Sequence, residues 1–266
     1  MNRFPRQLVL AAAALFVAAT SVQAQRGPRH PHIGYIYPTG GQRNTSFEVT
    51  IGGQYLKEAT ETYLSGEGVT LEIVKHYKPF SQGDVTRINR KLDEARDKIE
   101  EEWKKQGKTG RIPLDVVAKA AGVTENDFKE IEIYRKRQAD PRRQPNSQIE
   151  EELTVKVTLD PDAPLGKREL RMISPGAMSN PIWFFVEQWE ERYETEPNDD
   201  HPDPTIGSTF PVVVNGQIFP GDVDRFSFTA KKGMRLVMSV SARELMPYLA
   251  DDVPGWFKAV LVLYDS

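Results

Sequence analysis

Apolar and polar side chains alternate in several short runs along this chain, a period that is typical of half-buried β-strands. In one run Phe47, Val49 and Ile51 are separated by polar residues, and the pair Gly52 and Gly53 is expected to end that strand. Other alternating or apolar runs are bounded by turn residues and predict further strands. The predicted strands cover residues 33–37, 47–51, 63–64, 69–74, 153–159, 168–173, 182–186 and 226–228.

The middle of the chain has a different hydrophobic period. Between residues 88 and 103 apolar side chains recur every three or four positions, which predicts one amphipathic helix. Pro113 opens a second, shorter pattern, and Thr124 with Asp127 forms a capping box for a third helix. We interpret residues 82–147 as a helical insertion in a loop of a β-module.

The N-terminus has the three parts of a secretory signal peptide. Arg3 and Arg6 are basic, residues 8–19 are apolar, and residues 22–24 form a small-x-small cleavage pattern. The apolar part is too short to span a membrane, and no later run approaches about 18 apolar residues. We therefore expect residues 1–24 to be removed. The mature protein is expected in the periplasm, on the cell surface or outside the cell, without a transmembrane segment.

Composition and charge exclude several functional classes. The 266 residues include no cysteine, which excludes disulfides, thiol catalysis and cysteine-based zinc sites. The formal net charge of −3 argues against a nucleic-acid partner. None of the four histidines lies in a metalloprotease-type motif, and no nucleophile elbow is present. The sequence contains no recognisable catalytic constellation, so we expect a protein that is not an enzyme.

Acidic residues concentrate in two short segments near the end of the chain. Glu194 and Glu196 stand at alternate positions of a segment that Pro197 keeps out of a helix, so both carboxylates point to one side. Asp222 and Asp224 lie at a turn that enters a predicted strand. Carboxylates and a nearby amide, without histidine or cysteine, suit a hard cation such as calcium. A solvated acidic linker and an ordinary turn explain the same residues.

These segments also carry a resemblance to a known family. E-x-E-P-N-D at 194–199 is followed by V-N-G-x-I at 214–218, G-D-V-D-x-F-x-F at 221–228 and A-K-x-G-x-x-L at 230–236, with an aliphatic-Tyr-Asp strand at 261–265. Together these motifs resemble the bacterial pre-peptidase C-terminal domain. The resemblance implies a small β-sandwich of jelly-roll type in a secreted protein, a kind of module often found beside a protease.

The same resemblance implies a metal site. In collagen-binding relatives of that family, linker Glu, Asn and Asp residues and aspartates near the following strand hold calcium. The resemblance therefore implies Ca²⁺ as a cofactor of this chain. Carried over position by position, the candidate ligands are Glu194, Glu196, Asn198, Asp199, Asp222 and Asp224.

An earlier part of the chain resembles a second family. Residues 37–56 read Y-P-x-G-G-Q-R-x-T-x-F-E-V-T-I-x-G-x-Y-L, which is similar to the opening of an immunoglobulin-like IPT/TIG domain. An A-P-x-G turn at 163–166 and a Pro-Gly turn at 175–176 fit its closing half. The resemblance implies an immunoglobulin-like sandwich over residues 33–188, interrupted by the helical insertion.

These inferences together predict a mainly β protein of two β-sandwich modules. An acidic linker at 189–205 leads from the first module into the second, which spans residues 194–266. The second module is shorter than most independent domains and is expected to be incomplete. An incomplete sandwich would expose apolar side chains, including Val260, Val262 and Phe257.

The predicted function is that of an exported, non-catalytic protein that binds, adheres to or positions a partner. The expected partner is an extracellular or envelope protein or a polysaccharide. The alternative is the accessory N-terminal region of a larger secreted hydrolase of the peptidase type. In that case the catalytic domain would lie outside this chain.

Overall fold

The computed structural model describes residues 30–140, 146–219, 221–248 and 259–264. Within these ranges the chain is mainly β, as the alternating pattern predicts, with thirteen strands and three α-helices. The strands are β1 (His32–Tyr37), β2 (Gly40–Gln42), β3 (Ser46–Gln54), β4 (Glu61–Leu64), β5 (Val69–Tyr77), β6 (Glu151–Leu159), β7 (Gly166–Ser174), β8 (Ala177–Met178), β9 (Ile182–Glu187), β10 (Glu190–Tyr193), β11 (Asp203–Gly207), β12 (Val212–Asn215) and β13 (Phe226–Phe228). The helices are α1 (Gln82–Lys105), α2 (Leu114–Ala121) and α3 (Glu125–Ala139).

Two sheets pack against each other to form a β-sandwich. One has the strand order β1-β3-β6-β5, and the other has the order β2-β9-β7-β4 with β8 paired to β7. Along β6 and β9 every second side chain is buried, because successive residues of a strand point to opposite faces. The shared core includes Ile33, Ile36, Val49, Ile51, Leu153, Val155, Val157, Leu170, Met172, Ile182, Phe184 and Val186.

The prediction that the glycine pair ends β3 is wrong. The strand runs through Gly52 and Gly53 to Gln54, with β1 alongside it. A Cβ on Gly52 would lie 1.8 Å from Cε1 of Tyr35, and one on Gly53 would lie 2.0 Å from the carbonyl oxygen of His32. The strand continues because the two glycines allow the backbone and the tyrosine ring of β1 to approach closely.

The three predicted helices are present and share a core of their own. Ser81 and Thr124 begin α1 and α3 through capping boxes with Asp84 and Asp127, so the predicted box at Thr124 is confirmed. The apolar stripe of α1 packs against the other two helices. The buried members of this core are Val85, Ile88, Leu92, Ala95, Val117, Ala118, Val123 and Ile131.

Polar contacts join the helical insertion to the sandwich at its base. Glu151, the first residue of β6, is only 5% exposed, and its Oε1 accepts a hydrogen bond from Lys78 Nζ at 2.7 Å. Its Oε2 accepts the N–H of Leu56 at 2.8 Å. At the end of β5, Tyr77 Oη donates to Oε2 of Glu130 on α3 at 2.9 Å. The two chain segments that lead into and out of the insertion are therefore fixed side by side.

The rest of the described chain forms two short parallel strand pairs, β10 with β12 and β11 with β13. The prediction of a strand at 261–265 is wrong for residues 261–264, which lie in no strand. In the described part of the chain no neighbouring strand offers these residues hydrogen bonds, and a strand cannot form alone. Val260 and Val262 are exposed, as predicted. A complete second sandwich stays a prediction.

One segment of this last region returns to the first sandwich. Residues 243–245 form a short 3₁₀ turn, and Met246 follows it with 1% of its surface exposed. Met246 packs within the same apolar cluster as the inward-facing residues of the two sheets. A residue of the last region thus contributes to the core of the first sandwich.

Some predicted features lie outside the described residues. They are the signal peptide at 1–24, Phe257 and Asp265. None of the helices in the described ranges combines the length and the apolar character needed to cross a membrane.

Candidate metal centre

Glu194 follows β10 directly and is oriented through both its main chain and its side chain. Its N–H donates to the carbonyl of Asn215 at 3.0 Å, and its Oε1 accepts the N–H of Gln217. The second carboxylate oxygen, Oε2, is buried and has no hydrogen-bond partner. One oxygen therefore fixes the carboxylate, and the other is left able to bind a ligand.

Glu196 and Asp224 bring two more carboxylates to Glu194. One oxygen of each of the three lies within 4.8 Å of the other two. Glu194 and Glu196 meet because they occupy alternate positions of an extended segment. Asp224 reaches them from the segment before β13, and its Oδ1 is buried without a hydrogen-bond partner. This group of three carboxylates can hold a metal ion.

Asp222 resembles Glu194 in that one carboxylate oxygen accepts a main-chain N–H and the other has no hydrogen-bond partner. Its Oδ2 accepts the N–H of Phe219 at 2.9 Å, and its own N–H donates to the Phe219 carbonyl at 3.0 Å, which closes a tight turn. Its Oδ1 is buried and has no partner. Asp222 lies close enough to Glu194 and Asp224 for its charge to act on both.

The two remaining candidate ligands also accept hydrogen bonds from the main chain. Oδ1 of Asn198 accepts the N–H of Arg225 at 3.2 Å, and Oδ1 of Asp199 accepts the N–H of Val223 at 3.1 Å. Asn198 is completely buried. These two side chains therefore hold the acidic segment against the turn that carries Asp222, and their role as ligands stays a prediction.

Burial and mutual repulsion both disfavour the charged form of this cluster. Burial, with the charges of Asp224, Glu196 and Asp222, raises the pKa of Glu194 to about 7, although the hydrogen bond from the Gln217 N–H lowers it. Burial and the neighbouring carboxylates raise the pKa of Asp224 to about 6. A cation bound between these groups would remove the repulsion and displace the protons.

The chemistry available at this cluster is cation binding. Its donor atoms are all oxygens, and most belong to carboxylates, which are the ligands that hard divalent cations prefer. The group consists of carboxylates and includes neither histidine nor cysteine. The arrangement therefore offers a binding site for a cation.

Asp203 has a structural role that the sequence pattern did not predict. It is 5% exposed, its Oδ2 accepts the Thr195 N–H at 2.5 Å, and its Oδ1 accepts the Thr205 N–H at 2.9 Å. Burial would raise the pKa of Asp203, but these hydrogen bonds outweigh it and lower the pKa. The bond to Thr205 two positions ahead is an Asx-turn, which an aspartate before a proline would have indicated.

Asn215 joins the cluster of carboxylates to the first sandwich, and this role was also not predicted. Its Oδ1 accepts the N–H of Thr39 at 3.2 Å, and its Nδ2 donates to Oε2 of Glu191. Its carbonyl accepts hydrogen bonds from Glu194 and, at 3.4 Å, from Tyr37 Oη. A single asparagine therefore contacts β1, the loop after it, β10 and the start of the acidic segment.

Comparison of the sequence with models of known protein families, and with curated proteins, gives no match in either case.

Proposed function

We propose that this is an exported, non-catalytic protein in which a calcium ion fixes the segment between two β-modules and so positions a binding partner. Three buried carboxylate oxygens without hydrogen-bond partners carry the proposal, namely Glu194 Oε2, Asp222 Oδ1 and Asp224 Oδ1. Leaving a buried polar atom without a partner costs roughly 1–3 kcal/mol, and more if it is charged. A divalent cation held by Glu194, Glu196 and Asp224 would place a positive charge beside these oxygens, and the charge of Asp222 already acts on Glu194 and Asp224.

Calcium fits this donor set better than the other common divalent cations. Zinc favours histidine and cysteine, and the cluster contains neither. Magnesium keeps several waters and demands a strict octahedron, whereas calcium accepts six to eight oxygens in flexible geometry. A site built from two separate chain segments suits the more tolerant ion. The resemblance to the pre-peptidase C-terminal domain supports the same choice.

The place of the cluster supports a positioning role. Glu194 and Asn215 are joined through the main chain, and Asn215 in turn contacts Thr39 of the first sandwich. A cation held by Glu194 and Asp224 would therefore stiffen the connection between the sandwich and the parallel strand pairs. Export is supported by the signal-peptide pattern of residues 1–24.

Titration of calcium into the metal-free protein tests this function. We expect one site with a dissociation constant on the order of 10⁻⁴–10⁻³ M, as in other extracellular calcium modules. Asp224→Asn should remove the heat of binding. Asp162→Asn, which makes the same change at an exposed turn, should leave it intact. Equal binding by both variants would refute the assignment of the site.

Hydrogen exchange tests the positioning role separately. Calcium should slow amide exchange in residues 194–199 and 215–224, and also at Thr39, whose N–H bonds Asn215. If exchange slowed only within the acidic segments and not at Thr39, the cation would bind without affecting the connection between modules. Export is tested by the N-terminal sequence of the secreted protein, which should begin at Gln25.

A further inference from the structure

A large open cleft is lined mostly by residues of the last region of the chain, among them 210–219, 235–242 and 259–261. Its volume is about 2020 Å³. Tyr35 and Tyr37 of β1 and Arg137 near the end of α3 also line it. Small-molecule pockets usually measure about 300–1,000 Å³, so this cleft has room for a longer, polymeric ligand.

The charged side chains that line the cleft are mostly acidic. Among the described residues, eight acidic side chains line the cleft against two arginines. Three of the acidic residues, Glu152, Glu187 and Glu191, belong to strands of the sandwich or to β10 and are not members of the carboxylate group of Glu194, Glu196 and Asp224. Glu196 and Asp224 also line the cleft. Each is partly buried, and within the described residues none of the three forms an ion pair. Within the described lining, acidic side chains thus outnumber basic ones, and the charge of Arg137 acts on Tyr35 beside Glu152.

The local environment of these carboxylates favours a cationic group. Burial raises the pKa of Glu191, and the charge of Glu187 raises it further, although the hydrogen bond from Asn215 lowers it. Glu152 Oε1 accepts a hydrogen bond from Tyr35 Oη at 3.4 Å, which places a carboxylate beside an aromatic ring. Aromatic rings flanked by carboxylates bind ammonium and guanidinium groups through cation–π contacts and charge-assisted hydrogen bonds.

We propose that this cleft binds an extended, cationic polypeptide segment of a partner protein, with lysine or arginine side chains placed at Glu152, Glu187 and Glu191. Apolar side chains of the segment would pack on the apolar lining residues, which include Phe185 and Val214. The inference deepens the proposed binding function by naming the chemistry of the partner. It does not require the cation, because none of the three glutamates belongs to the metal cluster.

Binding of synthetic peptides to the full chain tests the proposal. A short fluorescein-labelled peptide of alternating lysine and leucine is titrated with the protein, and fluorescence anisotropy reports binding. Peptides with glutamate or serine in place of lysine, and an uncharged oligosaccharide, serve as competing ligands. We expect only the lysine peptide to bind, and we expect its affinity to fall as ionic strength rises.

Paired variants assign the binding to the cleft. The triple variant Glu152→Gln, Glu187→Gln and Glu191→Gln should weaken the lysine peptide about tenfold or more, because each charge-assisted contact is replaced by a weaker neutral one. Glutamine keeps the size of each side chain, and thermal unfolding confirms that the variant is folded.

A matched control changes the same number of charges elsewhere. Glu58→Gln, Glu61→Gln and Glu67→Gln alter exposed residues that do not line the cleft, and peptide binding should stay unchanged. Equal weakening by both triple variants would mean that the overall negative charge of the protein attracts the peptide, and this would overturn the proposal. Binding of the oligosaccharide or the serine peptide in preference to the lysine peptide would also overturn it.

The same measurement in chelator separates this proposal from the calcium site. Peptide binding that persists without calcium supports the cleft and says nothing against a cation elsewhere. If chelation abolishes peptide binding and the three glutamine substitutions have no effect, the metal cluster itself carries the interaction and the cleft proposal fails. Absence of calcium binding with intact peptide binding would refute the proposed function alone.

Discussion

The carboxylate of Glu194 lies directly against the position that a side chain at Gly216 would occupy. A Cβ at position 216 would lie 2.7 Å from Oε2 of Glu194, the oxygen that has no hydrogen-bond partner. Position 216 does not have the positive φ that favours glycine, and a side chain there would have to displace the carboxylate of Glu194. The residue next to Asn215 thus determines where one candidate ligand can lie.

Substituting Gly216 with alanine should therefore weaken calcium binding. The added methyl group pushes the Glu194 carboxylate away from Asp224, and loss of such support typically lowers metal affinity by about tenfold or more. Calorimetric titration measures the change. Gly83→Ala on α1 is the matched control, because its nearest neighbour would be Ser81 Oγ at 3.6 Å. An unchanged affinity in Gly216→Ala would show that Oε2 of Glu194 is not a ligand.

The raised pKa values predict how metal-free stability depends on pH. Glu194 and Asp224 have pKa values of about 7 and 6 in the folded protein, against about 4.3 and 3.9 when unfolded. Protons bind the folded state more tightly, so this stabilisation is complete below about pH 4 and is lost as pH rises through about 6 to 7.

Thermal unfolding across pH in chelator checks this dependence. We expect Tm to fall between mildly acidic and neutral pH in the wild-type protein, and to fall less in a Glu194→Gln, Asp224→Asn double variant. Calcium should restore Tm mainly at neutral pH, where the carboxylates are ionised. Identical pH profiles of wild type and variant would contradict the burial and repulsion described for the cluster.

Met246 should stabilise the first sandwich although it lies far from it in sequence. The side chain is 1% exposed within the sandwich core, so Met246→Ala is expected to lower the free energy of unfolding by about 2–5 kcal/mol. Met238→Ala is the control, because that side chain is 44% exposed and its loss should cost less than about 0.5 kcal/mol. Denaturant unfolding compares the two, and equal effects would argue against the contact.

Lys78 should hold the base of the helical insertion through Glu151. Burial alone would raise the pKa of Glu151, but the bonds from Lys78 and the Leu56 N–H outweigh it and lower the pKa. Lys78→Met leaves the carboxylate with a single strong partner and should cost about 1–3 kcal/mol at neutral pH. Lys57→Met, at an exposed position, should cost much less.

The Lys78 effect has a defined pH dependence. A lowered folded pKa stabilises the protein above the unfolded value of about 4.3, and that contribution is lost as pH falls. The difference in stability between wild type and Lys78→Met should therefore shrink toward acidic pH. A difference that stayed constant down to acidic pH would mean that Lys78 acts through packing instead of charge.

Local sequence pattern predicted most of the sandwich, because strand alternation and helix capping are decided by near neighbours. Thr124 and Asp127 lie three positions apart and form the predicted box. The exception at Gly52 arose from a distant cause, since only the ring of Tyr35 on β1 explains why glycine is tolerated inside a strand. The strand expected at 261–265 failed for a related reason, because a strand needs a partner.

At the candidate site, the sequence predicted only those contacts that join residues close to each other along the chain. The alternate spacing of Glu194 and Glu196 places both on one side, whereas the main-chain bonds of Asn198 and Asp199 depend on the turn that carries Asp222. The parts played by Gly216 and Asn215 arise from tertiary approach to Glu194 and Thr39, which no spacing in the sequence encodes.

The separate core of the helical insertion also bears on how the chain reaches its native state. β5 and β6 pair directly, from Tyr77 with Glu152 onward, although the whole insertion lies between them in sequence. As a flexible loop, a segment of that length would slow their encounter. Helices that collapse early onto their own apolar stripe would shorten the distance between the two strand ends. Wherever the chain folds, the insertion would then shorten the search by which β6 finds β5.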